Sequence, residues 1–298
     1  MLDYKVHTLL TLINVGSYTK TAKVLSLTQP AVSHQIKQLE QEYGIQLFHS
    51  SRKGLTMTPE GEILLRYARR MAALDDTLRQ AIEDSRKRIR RVAVGITTTL
   101  GEYLVSQIFR QYCEENPDVN ISIVSDTISS IYEMLSLYQL DLAIVEGSVP
   151  NISQRDYNFK LLDTDSLCLI VSPKHAFAQR ESVTLEELKQ EKFILRSSSA
   201  GTRTLFETHL LKQNESINNF NILIETDNIS TIKELVASNL GVTIMAHSAC
   251  RDETHSGKLV EVPIENMNMH REINIVYHRD FTHPEILEDL LRIYKCTV

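Results

Sequence analysis

Apolar positions recur with helical spacing through the first part of the chain. The residues near one side of a predicted first helix are Tyr4, Leu9, Leu10 and Ile13. A short second helix, YTKTAKVL, follows Ser17, which suits an N-cap, and it turns Ala22 and Leu25 inward. The dipeptide Ser26-Leu27 then predicts a tight turn before a third helix.

The third helix has one apolar side and one polar side. Thr28 is its predicted N-cap, and Pro30 falls in the first turn, where a missing N–H costs nothing. The apolar positions, expected to form one buried stripe, are Val32, Ile36, Leu39 and Tyr43. The polar positions are Gln29, Ser33, His34 and Lys37. This order is typical of a helix-turn-helix whose second helix enters the major groove of DNA; a three-helix bundle with a solvated polar face is the alternative.

The segment LFHSSRKGLTMT predicts two short strands joined by a turn. Arg52 and Lys53 lie at its tip, where a basic charge suits the phosphate backbone of DNA. Two strands after a helix-turn-helix would form a wing. Thr58 then suits the N-cap of a fourth helix, with Pro59 at its first position.

The fourth helix is predicted to be long, from Pro59 to about Arg88. Its apolar positions repeat at alternating steps of three and four, which is typical of the seam of a coiled coil. These positions are Leu64, Tyr67, Met71, Leu74, Leu78 and Ala81. A second copy of the chain is the simplest partner for such a seam, and packing against the chain's own body is the alternative.

Strand-like and helix-like segments alternate through the remaining two hundred residues. Examples are RRVAVGIT, DLAIVEG, FILRS and GVTIMAH for strands, and TRTLFETHLLKQ and HPEILEDLLRIYK for helices. The alternation predicts two successive α/β units with a largely parallel sheet. In such sheets ligands bind at the carboxyl ends of the strands, often between two lobes.

Two loops at these strand ends carry donors for an anion. The first contains Thr97, Thr98 and Thr99, and the second, RSSSAGTR, runs over 196–203. Hydroxyls, helix N-termini and arginines together favour a carboxylate, sulfate or phosphate. The second loop's candidate residues are Ser197, Ser199, Gly201, Thr202 and Arg203. Ordinary N-capping, which also selects Ser and Thr, is the alternative for each loop.

Composition narrows the class of protein. The chain has 298 residues, 42% of them hydrophobic, which suggests about two domains, and no apolar run approaches the roughly 20 residues of a membrane span. Without a signal-peptide pattern at the N-terminus, we expect a cytoplasmic protein with no membrane partner. The four cysteines form no C-x-x-C pair, and no catalytic motif or trusted metal-ligand spacing is present. We therefore expect no metal, no cofactor and no enzymatic activity.

Charge is divided along the chain. Residues 1–91 contain 15 Lys and Arg against 9 Asp and Glu, whereas 92–298 contain 17 against 29. A basic N-terminal part on an acidic body is expected where one end of a protein meets a polyanion.

The first part of the chain resembles the DNA-binding module of the LysR-type transcriptional regulators. The stretches that carry the resemblance are GSYTKTAKVLSLTQPAVSHQIKQLEQEYGIQLF and LTMTPEGEILL. The family usually has two alanines where Thr21-Ala22 stand, and Glu-Arg where His49-Ser50 stand, so that its arginine has effectively moved to Arg52.

The body resembles the effector domain of the same family, through GITTTLGEYL, IVEG, FILRSSSAGTR and SNLGVTIM. It is similar to the branch of sulfur- and carbon-assimilation regulators, although Ser197, Ser199 and Ala200 replace that branch's Glu, Gly and Ser. The resemblance implies an α+β multidomain fold: an N-terminal winged helix-turn-helix, a long linker helix and a C-terminal two-lobed α/β domain of periplasmic-binding-protein type. It implies boundaries at 1–58, 59–90 and 91–298, with lobe I at about 91–164 and 268–298 and lobe II at about 165–267.

Functional expectations follow from the residues and the resemblance together. Ser17, Thr28 and Pro30 join the polar face of the third helix and the wing tip as candidate DNA-binding residues, and Glu146 of IVEG joins the two loops as a candidate effector ligand. The expected partners are double-stranded DNA, a small anionic effector, further copies of the chain in a homodimer or homotetramer, and RNA polymerase. A regulator that binds DNA without any ligand, its lobes serving only assembly, is the alternative.

Overall fold

The computed structural model describes residues 2–49, 55–87, 89–147, 156–281 and 283–297. The chain divides into two compact units: an N-terminal unit up to Arg90 that also includes Ser136–Gln139, and a C-terminal unit formed by the rest. Among the described residues no helix is both long and apolar enough to cross a bilayer.

The described part of the N-terminal unit contains the helices α1 (Tyr4–Val15), α2 (Tyr18–Val24), α3 (Gln29–Tyr43) and α4 (Pro59–Lys87). Their ends follow the capping residues of the sequence. The side chain of Ser17 accepts a hydrogen bond from the N–H of Lys20 at the start of α2. Gly44 ends α3 at a φ of 65°, a left-handed conformation that glycine adopts without steric cost.

One apolar core holds these helices together. Its buried members are Val6, Leu9, Leu12, Ile36, Leu39, Leu47 and Ala68. Gly61 lets the first turn of α4 pack against the backbone of Leu47, because a Cβ at Gly61 would stand 2.4 Å from the carbonyl oxygen of Leu47. Close packing therefore explains why the LTMTPEGEILL stretch has a glycine at this position.

One detail of the predicted helix faces was wrong, because Tyr43 is 51% exposed although it was expected in the buried stripe of α3. Tyr4, expected near the same side of α1 as Leu9, is 59% exposed. Tyr4 opens α1 and Tyr43 closes α3, so each lies beyond the core, and the inner face of α1 is instead formed by Val6, Leu9 and Leu12.

The described part of the predicted wing contains one β-bridge, where two short strands were expected. Phe48 and Met57 form a single antiparallel bridge, and the N–H of His49 donates to the carbonyl oxygen of Thr56 at 2.8 Å. The predicted tip residues Arg52 and Lys53 lie outside the described residues.

The C-terminal unit alternates strands and helices. Its strands are β1 (Arg90–Thr97), β2 (Val119–Asp126), β3 (Leu142–Glu146), β4 (Tyr157–Val171), β5 (Lys192–Leu195), β6 (Asn221–Glu225), β7 (Thr243–Ala246), β8 (Val260–Val262) and β9 (Met269–His278). Its α-helices are α5 (Thr98–Glu115), α6 (Ile128–Ser136), α7 (Leu185–Leu188), α8 (Gly201–Lys212), α9 (Ile229–Ala237), α10 (His247–His255) and α11 (Pro284–Thr297). Short 3-10 helices cover Ala176–Gln179 and Ile217–Asn219.

The expectation of a largely parallel sheet was wrong. β1 pairs with β3, and β5 with β6, in parallel, but β9 pairs antiparallel with both β3 and β4, and β4 pairs antiparallel with β7 and β8. The reason is that β4 and β9 are long strands that run in opposite directions between the two lobes. They join strands of both lobes into one seven-stranded sheet in the order β2-β1-β3-β9-β4-β7, with β8 beside β4.

Helices cover both faces of the lobe I sheet. In β3, Leu142 and Ile144 pack in the cluster that contains α5 and α11, while Ala143 and Val145 pack in the cluster that contains α6. A strand covered on both faces reads as a continuous apolar run, which is why LAIV shows no alternation. Lobe II has a core of its own, built around Phe193, Phe206 and neighbouring residues.

Candidate functional site

The apolar face of α3 packs against the core of the N-terminal unit, so its polar face is directed to solvent. Val32, Ile36 and Leu39 are buried, and the hydroxyl of Thr8 on α1 donates to Oε1 of Gln35 at 2.6 Å, which fixes α3 against α1. The turn before α3 contains Ser26 at a φ of 54°, and the N–H of Leu27 closes it by donating to the carbonyl oxygen of Ala22 at 2.8 Å.

The candidate DNA-binding side chains of α3 are open to a partner. Gln29, His34 and Lys37 are exposed, and Ser33 is half-buried. None of the four makes a hydrogen bond or ion pair with another residue in the described part of the chain. Thr28 has a structural duty as well, because its hydroxyl caps α3 by accepting from the N–H of Ala31 at 3.3 Å; Pro30 occupies the first turn of the helix.

An apolar stripe runs along the outside of α4. Most of the predicted seam lies on it: Tyr67, Met71, Leu74, Leu78 and Ala81 are exposed, with Leu78 at 56%. Leu64 differs, because it is half-buried against the core of the N-terminal unit. Ile63 and Ile82, exposed at 50% and 48%, extend the stripe instead. An apolar helix face of this length in water favours a partner surface.

The first candidate effector loop offers a hydroxyl that capping does not use. Thr97 stands at the N-cap position of α5, is 4% exposed and makes no side-chain capping bond. Its Oγ1 is buried without a hydrogen-bond partner among the described residues. Thr98 is half-buried and Thr99 is buried.

The second effector loop reaches the first through an arginine. Arg196 is 7% exposed, and its Nη1 donates to Oγ1 of Thr99 at 2.9 Å. Burial lowers the pKa of the guanidinium of Arg196, and the carboxylates of Asp227 and Glu146 oppose that effect. This hydrogen bond links lobe II to lobe I at the carboxyl ends of β5 and β1.

Other donors of the second loop are already engaged. The N–H and the hydroxyl of Ser197 both donate to Oδ1 of Asp227, at 3.3 and 3.0 Å, and Nε of Arg196 lies 3.5 Å from the same oxygen. The hydroxyl of Ser199 lies 3.0 Å from that of Ser197. A carboxylate of the chain therefore holds donors that were expected to receive an external anion.

The remaining residues of the RSSSAGTR loop differ in what they do. Arg203 donates from Nε to Glu207 on its own helix and from Nη1 to the carbonyl oxygen of Arg196, so it ties α8 to the loop. Thr202 is 3% exposed, and its hydroxyl finds no hydrogen-bond partner within the described ranges. Gly201 is exposed at the start of α8, with open space where a Cβ would stand.

A buried group of charges lies where the long strands cross between the lobes. Arg271 on β9 contacts Oε1 of Glu146 through Nη1 at 3.3 Å and Oδ2 of Asp165 through Nη2 at 3.4 Å. Each of the three residues is 6% exposed. The hydroxyl of Ser248, next to the start of α10, also donates to Oδ2 of Asp165, at 2.8 Å.

The carboxyl of Glu146 is only partly satisfied within this group. Its Oε2 is buried and has no hydrogen-bond partner among the described residues. Burial raises the pKa of Glu146, while the charge of Arg271, the hydroxyl of Thr99 and the charge of Arg196 work in the opposite direction. Burial and the neighbouring donors therefore have opposite effects on the pKa of this carboxyl, and burial is the larger one.

Sequence reasoning missed four members of this site: Asp165, Arg271, Ser248 and Asp227. Each is a single polar residue outside a recognisable motif, and each meets its partner only through pairing between distant segments. Asp165 and Arg271 are directly opposite in the β4–β9 pairing. Only a prediction that these two strands pair could have found them.

Within the described residues no group of three or more His, Cys, Asp and Glu side chains is arranged to hold a metal ion.

Comparisons with known proteins agree with this architecture. Residues 5–62 match the family model described as bacterial regulatory helix-turn-helix protein, lysR family, and 85–297 match the LysR substrate binding domain. A probable RuBisCO transcriptional regulator of Cyanophora paradoxa is 31% identical over 271 residues, which cover 91% of this chain and 84% of that protein.

Two solved structures share the fold. Full-length CbnR complexed with its target DNA superposes with a TM-score of 0.65 at 14% identity, over 100% of both chains. The regulatory domain of CcmR from Synechocystis PCC6803, in complex with 2-PG, superposes with a TM-score of 0.61 at 18% identity, over 69% of this chain and 97% of that one. The resemblance of the whole chain to a LysR-type architecture is confirmed.

Proposed function

Because the chain belongs to the LysR family of bacterial transcriptional regulators, we propose that it controls carbon-assimilation genes in response to a small anion bound between the lobes of its C-terminal unit. The link to carbon assimilation is supported by the relative in Cyanophora paradoxa, whose name is that of a RuBisCO regulator. The anion is bound and released unchanged, so the protein senses it without catalysis.

The observation that carries the effector proposal is the contact between Arg196 and Thr99. A buried guanidinium from lobe II and a buried hydroxyl from lobe I meet at 2.9 Å. The hydroxyls of Thr97 and Thr202, in the same two loops, are buried without a hydrogen-bond partner among the described residues. A bound anion would accept from both lobes and stabilise one lobe arrangement over another. Differential affinity for two arrangements is the physical requirement for regulation by a ligand.

DNA is read by α3 in this proposal. The side chains of Gln29, Ser33, His34 and Lys37 face solvent from the first turns of α3 and make no bond to the described protein. Gln and Ser hydrogen-bond to base edges in the major groove, and Lys reaches guanine or phosphate. Arg52 and Lys53, which lie outside the described residues, stay predicted contacts to the phosphates of the DNA.

The chain acts as a homo-oligomer through α4. The stripe of Ile63, Tyr67, Met71, Leu74, Leu78 and Ile82 gives this helix an apolar face, which a second copy covers. The double substitution Leu74→Glu and Leu78→Glu would bury charge in that interface, so it should convert the protein to monomers in sedimentation velocity runs. If the variant sediments like the wild type, α4 is not the pairing element.

The domain boundaries of the proposal are 1–58 for the winged helix-turn-helix, 59–90 for the linker helix and 91–298 for the effector domain. The division of compact units near Arg90 supports the last boundary. RNA polymerase as a partner stays a prediction.

A thermal-shift screen of the full-length protein tests the effector proposal. The ligands are inorganic phosphate, sulfate, 2-PG and other small phosphorylated or carboxylated carbon compounds. A ligand present at 100 times its Kd should add about 2.7 kcal/mol to the free energy of unfolding. Thr98→Ala and Thr202→Ala should each abolish that gain and leave DNA affinity unchanged.

Thr208→Ala is a matched control, because Thr208 lies on α8 with Thr202, is exposed, and donates only to the carbonyl oxygen of Thr204. It should respond to the ligand as the wild type does. If no anion stabilises the protein while specific DNA binding persists, the effector half of the proposal is wrong and the regulator works without a ligand.

A further inference from the structure

We infer that the effector carries a hydroxyl group in addition to its negative charge, and that Oε2 of Glu146 accepts a hydrogen bond from that hydroxyl. This inference rests on the proposed function, since it concerns the same site. It adds the chemical class of the ligand and the residue that selects it.

The first step is the position of Glu146. It is the last residue of β3, which pairs in parallel with β1, with Ile144 opposite Ile96. The carboxyl ends of the two strands therefore lie side by side, which brings Glu146 beside the hydroxyl-bearing loop that begins at Thr97. The influence of Thr99 and Arg196 on the Glu146 carboxyl places it among the residues through which the lobes touch.

The second step is that the two oxygens of Glu146 differ. Oε1 is held by Arg271 at 3.3 Å, whereas Oε2 is buried and has no hydrogen-bond partner among the described residues. A buried acceptor without a donor destabilises the site, and more so when it is charged. A ligand that supplies the missing donor recovers this free energy, and a ligand that lacks one does not.

The third step is that the two loops near this acceptor also carry donors. The hydroxyls of Thr97 and Thr202 are buried without hydrogen-bond partners in the described ranges, and Nη1 of Arg196 contacts Thr99. These groups suit the charged end of an anion. Glu146, beside Thr99, accepts as a carboxylate and in that form is suited to a group that donates. A simple anion satisfies one set of these groups and leaves the other unsatisfied.

A neutral hydroxyl fits Oε2 better than other groups do. A second carboxylate would bring two negative oxygens together in a buried site. An ammonium group would need to be desolvated, and the guanidiniums of Arg271 and Arg196 near Glu146 would repel it, which offsets its attraction to the carboxylate. A hydroxyl donates a hydrogen bond without adding charge.

The experiment measures the affinity of the full-length protein for matched anions by calorimetry, supported by thermal shifts. Each series contains an unsubstituted, a hydroxylated and an aminated member: succinate, malate and aspartate; 3-(phosphonooxy)propionate, 3-phosphoglycerate and phosphoserine. In the series that binds, we expect the hydroxylated member to bind at least about tenfold more tightly than the other two, because a site with a buried polar group discriminates strongly against a ligand that leaves it unpaired.

Glu146→Gln is the diagnostic variant. The amide keeps the size of the side chain but replaces one oxygen by a donor and removes the charge, so the preference for the hydroxylated member should fall to about threefold or less, in line with the weaker hydrogen bonds of neutral groups. Binding of the anion itself should persist. Glu114→Gln, an exposed position near the end of α5, is the matched control and should keep the full preference.

The outcomes separate this inference from the proposed function. Stabilisation by anions with no preference for the hydroxylated member, or with a preference for the aminated one, would overturn the inference and leave anion sensing intact. Stabilisation by none of the anions would overturn both. If Glu146→Gln does not fold, the ranking measured with the wild-type protein decides.

Discussion

The polar face of α3 and the charged group between the lobes show two ways of holding functional side chains. Gln29, His34 and Lys37 are exposed and make no bond within the described chain. Glu146, Asp165 and Arg271 are each 6% exposed, and Arg271 contacts both carboxylates. A residue of the first kind can be replaced without disturbing its neighbours, whereas a residue of the second kind leaves a buried partner behind. Substitutions on the polar face of α3 should therefore change DNA recognition without changing the free energy of unfolding. Substitutions in the buried group between the lobes should change both ligand binding and the free energy of unfolding.

The largest expected effect lies in the buried group. Arg271→Met removes the cation that faces Glu146 and Asp165, and both carboxylates then stay buried without it. Loss of one partner from a buried ion pair costs about 3–5 kcal/mol. We expect a loss of this size in the free energy of unfolding of the full-length protein, measured by urea denaturation.

A combined variant tests the reason for that loss. Arg271→Met together with Glu146→Gln and Asp165→Asn removes the unpaired charges, so it should recover most of the lost stability. If Arg271→Met alone costs less than about 1 kcal/mol, as exposed ion pairs do, the group is solvated and the contrast with α3 fails.

On α3 the expected effect concerns recognition and leaves stability nearly unchanged. Ser33→Ala should change the free energy of unfolding by less than about 0.5 kcal/mol, since surface substitutions rarely do more. It should reduce discrimination between the preferred site and other DNA by about 1–3 kcal/mol, the range of one base contact. Fluorescence anisotropy with a duplex selected from a random library measures both affinities.

Lys37→Ala is the comparison on the same helix face. If Lys37 binds phosphate, its loss weakens all DNA about equally and reduces the slope of log affinity against log salt by about one. Unchanged affinity and site preference in Ser33→Ala would contradict the role that we give to Ser33.

The same difference explains how far the sequence could predict each region. The residues of α3 follow one another along a single helix, so its period alone separates the buried Val32, Ile36 and Leu39 from the polar face. Tyr43 was misplaced because the period does not show where the core ends.

Between the lobes the sequence could predict only the local part. Thr97, Thr99 and Thr202 stand at strand ends and helix starts, where local pattern shows them. Asp165 and Arg271 meet through the pairing of β4 with β9. No local sequence pattern indicates that these two strands run from one lobe to the other and pair. The first half of β4 was missed altogether, because Phe159 and Leu161 are 44% and 55% exposed and do not mark a buried face.

The smallest expected effect concerns Asp227, which is exposed like the polar residues of α3 but contacts a buried charge like the members of the buried group. Its side chain is 54% exposed, yet it holds the N–H and the hydroxyl of Ser197 and lies 3.5 Å from Nε of the buried Arg196. As a carboxylate on these donors, it competes with an external anion. Asp227→Asn should therefore tighten binding of the effector by about two- to fivefold, a modest change because a solvent-exposed charge is worth about 0–1 kcal/mol.

Calorimetric titration of Asp227→Asn with the anion identified in the screen measures this change, and Asp118→Asn, an exposed position in the turn before β2, is the matched control. An amide oxygen at 227 can still accept from Ser197, so the loop keeps its shape and only the charge is removed. Tighter binding in Asp227→Asn alone would show that the chain's own carboxylate occupies part of the anion site. Weaker binding would mean that Asp227 positions Arg196 and Ser197 for the ligand. Its exposed carboxylate would then affect the ligand indirectly, through the buried Arg196.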